Sequence, residues 1–182
     1  MKNCCTWLRL FLVSIIPTFS LGGIANPTFT SEVDTSTIRS LDIHNFMGKW
    51  YEIARYENRF ERGMSHVSAT YSLNENGKIR VLNEGVKSGK PHRVKGKAFL
   101  PDPYNYPGRL RVSFFLWFYS DYYIFELDNE NYMYAVIGSS DCDYLWILYR
   151  EPVMPTLLLQ ELVERIQNRG YDTSKLLFVN HN

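Results

Sequence analysis

The residues best equipped for nucleophilic or metal chemistry are three cysteines and four histidines. Cys4 and Cys5 are adjacent and Cys142 stands alone, so no CxxC pair exists; His44, His66, His92 and His181 are scattered. Structural zinc needs ligands paired at short spacing, and neither a His-Glu-x-x-His run nor a Ser-His-Asp set is evident. The expectation is a chain with no catalytic residues, no metal and no cofactor, hence not an enzyme. Twenty Lys and Arg face nineteen Asp and Glu. A general nucleic-acid binder would show a clear basic excess, so nucleic acid is not expected as a partner. The chain is 15% aromatic, too rich in rings for a disordered protein. Its 182 residues fit one domain with a leader.

The leader is legible. Lys2 and Arg9 form a short basic region, Leu10 to Ile16 is apolar apart from Ser14, and Pro17 follows. Gly23-Ile24-Ala25 then presents small residues where a signal peptidase reads them. A signal peptide is expected over residues 1–25, an arm over 26–45 and the domain over 46–182. Removal after Ala25 would take Cys4 and Cys5 with it, leaving Cys142 without an intrachain partner. A lipoprotein signal would place a cysteine directly after the apolar run, but Leu21-Gly22-Gly23 is followed by Ile24. Export without a lipid anchor is therefore expected. No apolar run reaches the roughly 18 residues of a membrane-spanning helix.

Positioning falls to strands. Short alternating runs bounded by turn signals cover Trp50–Tyr56, Val67–Leu73, Ile79–Val86, Val94–Leu100, Leu110–Leu116, Tyr122–Leu127, Tyr132–Ile137 and Tyr144–Tyr149. Asn74-Glu75-Asn76-Gly77 and Ser88-Gly89-Lys90-Pro91 read as hairpins, and Pro101–Gly108 as a longer loop. Eight such runs predict an all-β protein, an antiparallel up-and-down barrel whose closure removes exposed edges. A barrel of that size holds one small ligand. Leu158, Leu162, Val163 and Ile166 then recur at helical spacing between Pro155 and Gly170. One C-terminal helix packed outside the barrel is expected, followed by a short strand over Leu176–Val179.

Gly48-Lys49-Trp50-Tyr51, together with Arg150 closing the eighth run, resembles the first and third motifs of the lipocalins. Trp50–Tyr56, Val112-Ser113-Phe114-Phe115 and Asp143–Leu148 are similar to the bacterial outer-membrane members and to apolipoprotein D. The second motif is degraded to Asn129-Glu130-Asn131-Tyr132. The resemblance covers residues 42 to 180. It implies that Trp50 lies inside the closed end with Arg150 stacked on it, next to Gly48. With Trp50 inward, alternation turns Glu52, Ala54 and Tyr56 inward too. The resemblance sets the other inward residues as Ala69, Tyr71, Val81, Asn83, Gly96, Ala98, Val112, Phe114, Ile124, Ala135, Ile137, Tyr144, Trp146 and Leu148. A one-residue slip would invert any of these sets.

A buried carboxylate at Glu52 needs a partner, and Asn83 or a tyrosine hydroxyl is expected to serve. Arg59, Arg62, Lys87, Lys90, His92 and Arg93 fall on rim loops, with Trp117, Phe118 and Tyr119 on a third. The implied job is carriage or storage of a small hydrophobic ligand, a fatty acid or lysophospholipid, in the cell envelope. Alternatives are a protein-interaction module or another apolar cargo such as a bilin or retinoid-like compound. A periplasmic or outer-membrane location follows, with peripheral contact to the outer membrane.

Overall fold

The computed structural model describes residues 33–182, so the expected leader lies outside the described residues. Asp42 caps a single helical turn, α1 (Ile43–Phe46), by accepting hydrogen bonds from the amides of His44 and Asn45. Eight strands follow: β1 (Gly48–Tyr56), β2 (Met64–Leu73), β3 (Ile79–Lys87), β4 (Lys90–Phe99), β5 (Arg109–Phe115), β6 (Phe118–Leu127), β7 (Tyr134–Gly138) and β8 (Leu145–Tyr149). Helix α2 (Thr156–Asn168) and a short β9 (Leu176–Phe178) complete the chain.

Each strand pairs antiparallel with the next, and β8 pairs with β1. Four residue pairs, Gly48–Tyr71 to Tyr51–Ser68, join β1 to β2 and close the barrel. Beyond them β1 leaves β2, and β9 takes its free edge from Ala54–Phe178 to Tyr56–Leu176. The expected eight-stranded antiparallel barrel with one outer helix is the fold observed. The hairpin between β5 and β6 is tighter than expected, because Phe115 pairs with Phe118 around Leu116-Trp117.

Two apolar clusters lie on opposite faces of the wall. The inner one gathers Phe46, Trp50, Tyr71, Ile79, Val81, Ala98, Leu110, Ile124, Ala135, Ile137 and Leu148. The outer one seats α2: Leu162 and Ile166 are fully buried with Phe125, Val136, Leu145 and Ile147. Arg165 and Arg169 both bind the Glu126 carboxylate on β6, at 3.2 and 3.3 Å, and fix the helix against the wall.

The expected inward phase of β1 fails after Glu52. Tyr51 and Glu52 face Tyr149 and Leu148, but Ala54 and Arg55 face Ile147 and Trp146, leaving Ile53 as the extra residue of a bulge. An extra residue flips every later side chain to the other face. Ala54 and Tyr56, expected inside, therefore join the outer cluster, where the Tyr56 hydroxyl donates to the Asp172 carbonyl. Arg55 turns inward in their place. Bulges also interrupt β2 against β3 between Ser65 and Ser68, and β6 against β7 between Ile124 and Glu126.

Candidate functional site

The closed end is built around the indole of Trp50, which is fully buried. Its Nε1 donates to the Phe46 carbonyl at 2.9 Å. The Arg150 guanidinium lies 3.7 Å from the ring centroid. It donates from Nε, Nη1 and Nη2 to the carbonyls of Tyr132, Lys49 and Asn45 at 3.0, 3.0 and 2.7 Å. One side chain thus ties three chain segments together, as a forked guanidinium can and an ammonium cannot. Gly48 makes room, since a Cβ there would stand 3.2 Å from Arg150 Nη1 at φ +95°.

Beyond this plug Tyr71, Val81, Ala98, Ile124, Ile137 and Leu148 face inward and are at most 5% exposed, so the protein fills much of its own interior. Ala69, Val112, Tyr122 and Trp146 also face the inner cluster but keep accessible surface. Phe114 is 41% exposed and lies against Gly96, where a Cβ would meet its ring at 2.6 Å. Tyr144 sits just before β8 and stacks on Trp146 at 5.6 Å and 9°. The expected hollow is therefore at least partly filled by these side chains, and accessible surface on the inner wall remains at Ala69, Val112, Tyr122 and Trp146. Two concavities on the surface, of about 390 and 180 Å³, are lined by Tyr56, Glu57, Cys142, Asp143 and Lys175, and by loop and strand residues around Arg109.

Within the barrel lies a polar centre that the sequence pattern does not show. Arg55, fully buried, donates from Nη1 to Glu52 at 2.5 Å, and from Nη2 to the carbonyls of Glu61 and Met64 at 2.8 and 3.3 Å. The partner of Glu52 is therefore Arg55, not the expected Asn83 or a tyrosine. Glu61 reaches in from the β1–β2 loop, and its carboxylate accepts from Trp146 Nε1 at 3.0 Å and Asn58 Nδ2 at 2.6 Å. Burial, reinforced by the Glu61 charge, pushes the Glu52 carboxyl up to about 8 against the opposing pull of Arg55. The hydroxyls of Tyr71 and Tyr122 share a hydrogen bond of 2.8 Å nearby, and burial raises both phenols.

The bulge that creates this centre is fastened from outside by the C-terminal segment. The Val179 amide donates to the Ile53 carbonyl at 2.9 Å, and His181 Nε2 to the Glu52 carbonyl at 2.8 Å. On β3 Asn83, across from Ala69 and Val94, holds a buried Oδ1 without a hydrogen-bond partner among the described residues. A buried unsatisfied acceptor costs stability. Asn83→Leu is expected to raise unfolding stability by about 1 kcal/mol in urea titration; a loss would mean that the carbonyl is satisfied in solution.

A closed antiparallel barrel, plugged at one end by Trp50 and Arg150 and lined with apolar side chains, is the architecture of a small-ligand binding protein. The chain belongs to the lipocalin family. Residues 41–181 match the Lipocalin-like domain. The chain is 40% identical to the outer membrane lipoprotein Blc of Vibrio cholerae over 144 residues, covering 78% of this chain and 84% of that protein. It is 36% identical to the outer membrane lipoprotein Blc of Citrobacter freundii over 171 residues, covering 92% and 94%. Among solved structures it resembles insecticyanin from the tobacco hornworm Manduca sexta, with a TM-score of 0.66 at 22% identity over 82% of this chain and 85% of that one. Lipocalins bind small hydrophobic ligands and are not typically enzymes.

Proposed function

We propose that this protein binds a single-chain amphiphile, a fatty acid or a lysophospholipid, and carries or stores it in the cell envelope. The inner wall supports this reading: Ala69, Val112 and Trp146 face the apolar inner cluster yet retain accessible surface, and Phe114 is 41% exposed against Gly96. Each methylene moved from water onto such a wall contributes about 0.8 kcal/mol. A sixteen-carbon chain would gain on the order of 10 kcal/mol before the costs of association. Against a bilayer the gain vanishes, so lipids with one chain, which leave membranes readily, are the favoured cargo. The envelope location is carried over from relatives named outer membrane lipoproteins.

Cation placement sets the orientation. The Nη groups of Arg55 are engaged by Glu52 and by the Glu61 and Met64 carbonyls, so an anionic head group pushed inward would meet two carboxyls. At the rim Arg59, Arg62, Lys87, Lys90, His92 and Arg93 are exposed, and guanidinium groups suit phosphate and carboxylate. The tail enters and the head stays at the mouth.

The test is denaturing extraction of purified protein with mass spectrometry, alongside titration with a fluorescent fatty acid. Stoichiometric lipid or saturable probe binding is expected; neither appearing would overturn the reading. Val112→Trp, which adds bulk to the inner wall opposite Ala98, is expected to weaken probe binding at least about tenfold, or roughly 1.4 kcal/mol. Unchanged affinity would place the ligand elsewhere.

A further inference from the structure

We propose that one flank of the barrel mouth docks on an anionic lipid bilayer: the tip of the β5–β6 hairpin inserts, and the basic β3–β4 hairpin beside it binds the charged surface. This is independent of the cargo.

Phe115, Leu116, Trp117 and Phe118 are 67, 54, 71 and 65% exposed. Phe118 stacks on Phe115 and on Trp117 at 6.5 and 6.2 Å, so the tip is one convex apolar ridge. The turn itself is unusual in composition. Two-residue hairpin turns favour Asn-Gly or Asp-Gly because their central residues need positive φ. Here Leu116 holds φ +50° and Trp117 completes the turn. The backbone adopts a conformation disfavoured for leucine and displays two large apolar side chains to water.

The charge beside the tip selects the occupant. Sheet order places β4 next to β5. Lys87 and Lys90 stand directly opposite each other at the β3–β4 turn, an arrangement that like charges make unfavourable unless an anion lies near. Lys90, His92 and Lys95 are exposed, while Arg93 is engaged by Glu84 at 2.7 Å. On the other side of the tip the β7–β8 loop carries Asp141 and Asp143, so an anionic surface would draw in the lysine flank and hold the acidic loop away. Aromatic rings with adjacent lysines fit the bilayer interface, where apolar edges and charged head groups meet. A second protein copy fits less well, because a stable pair buries about 800 Å² on each partner and needs a matching concavity. A bilayer imposes no such shape.

The test is co-flotation of the full chain with vesicles of phosphatidylglycerol and phosphatidylcholine, and with phosphatidylcholine alone. Leader residues are common to all variants, so ratios between variants report on the rim. Trp117→Ser/Phe118→Ser is expected to lower the bound-to-free ratio at least about tenfold on both vesicles. Lys90→Glu/Lys95→Glu is expected to lower it at least about fivefold on phosphatidylglycerol vesicles, with the difference collapsing at high salt, and to change it little on phosphatidylcholine. Wild-type chain that stays unbound, or variants that float as wild type does, would overturn the proposal. So would loss of self-association on sedimentation for the aromatic variant with vesicle binding intact, which would make the occupant a second copy. The charge variant leaves every apolar contact in place, so it decides the matter if the aromatic variant folds poorly.

Discussion

Glu52→Gln is expected to abolish most of a fall in stability that the native chain undergoes between about pH 4.5 and about pH 8. An unfolded glutamate titrates near 4.5, whereas this one, buried against Glu61 and Arg55, titrates at about 8. Between those values the folded chain keeps a proton that the unfolded chain has released. Stability from this group is therefore complete below 4.5 and is lost as pH rises, by at most about 1.4 kcal/mol per pH unit. The amide of a glutamine reproduces the neutral carboxyl: its oxygen accepts from Arg55, and its nitrogen donates toward Glu61. Urea unfolding at acid pH should give nearly equal stabilities for the two proteins. Above pH 8 the variant should be the more stable by an amount on the order of a few kcal/mol. The other titrating groups are common to both proteins and cancel. Parallel curves would mean that Glu52 is ionised throughout and that Arg55 alone balances it.

That polar centre is also where the sequence stopped being readable. Alternation and hairpin signals define the strands, and helical spacing from Leu158 to Ile166 defines α2, because both patterns are local. A bulge is not local. Its position depends on which neighbour the strand meets, and here the carbonyls of Ile53 and Glu52 are bound by Val179 and His181, far along the chain. Alternation carried Ala54 and Tyr56 inward and left Arg55 outside. The available hint was energetic rather than periodic. A carboxylate placed inside at Glu52 demands a cation, and Arg55, three residues on, shares its face only if the strand carries an extra residue. Tyr122 did lie within reach of alternation, two residues before Ile124. Glu61 did not, since a loop residue that folds back into the barrel carries no pattern. The floor, by contrast, was legible from Gly48, Trp50 and Arg150, because the family resemblance already set Arg150 on Trp50 at the closed end.

That floor supplies the other large effect. Trp50→Ala is expected to cost about 3–5 kcal/mol in guanidinium unfolding, since it removes a fully buried indole and its bond to the Phe46 carbonyl and leaves a cavity. Arg150→Ala should cost less, about 1–3 kcal/mol, through three carbonyls that lose a charged donor. The informative quantity is their coupling. With the guanidinium 3.7 Å from the ring centroid, each residue loses part of its partner when the other is removed. The double variant should therefore fall short of the summed losses by about 0.5–2 kcal/mol. Lysine at position 150 should recover little of that coupling, because an ammonium cannot lie flat on the indole and reach the carbonyls of Asn45, Lys49 and Tyr132 together. Strict additivity would show that the stack carries no energy of its own, and that Arg150 acts only as a clamp on three segments of backbone.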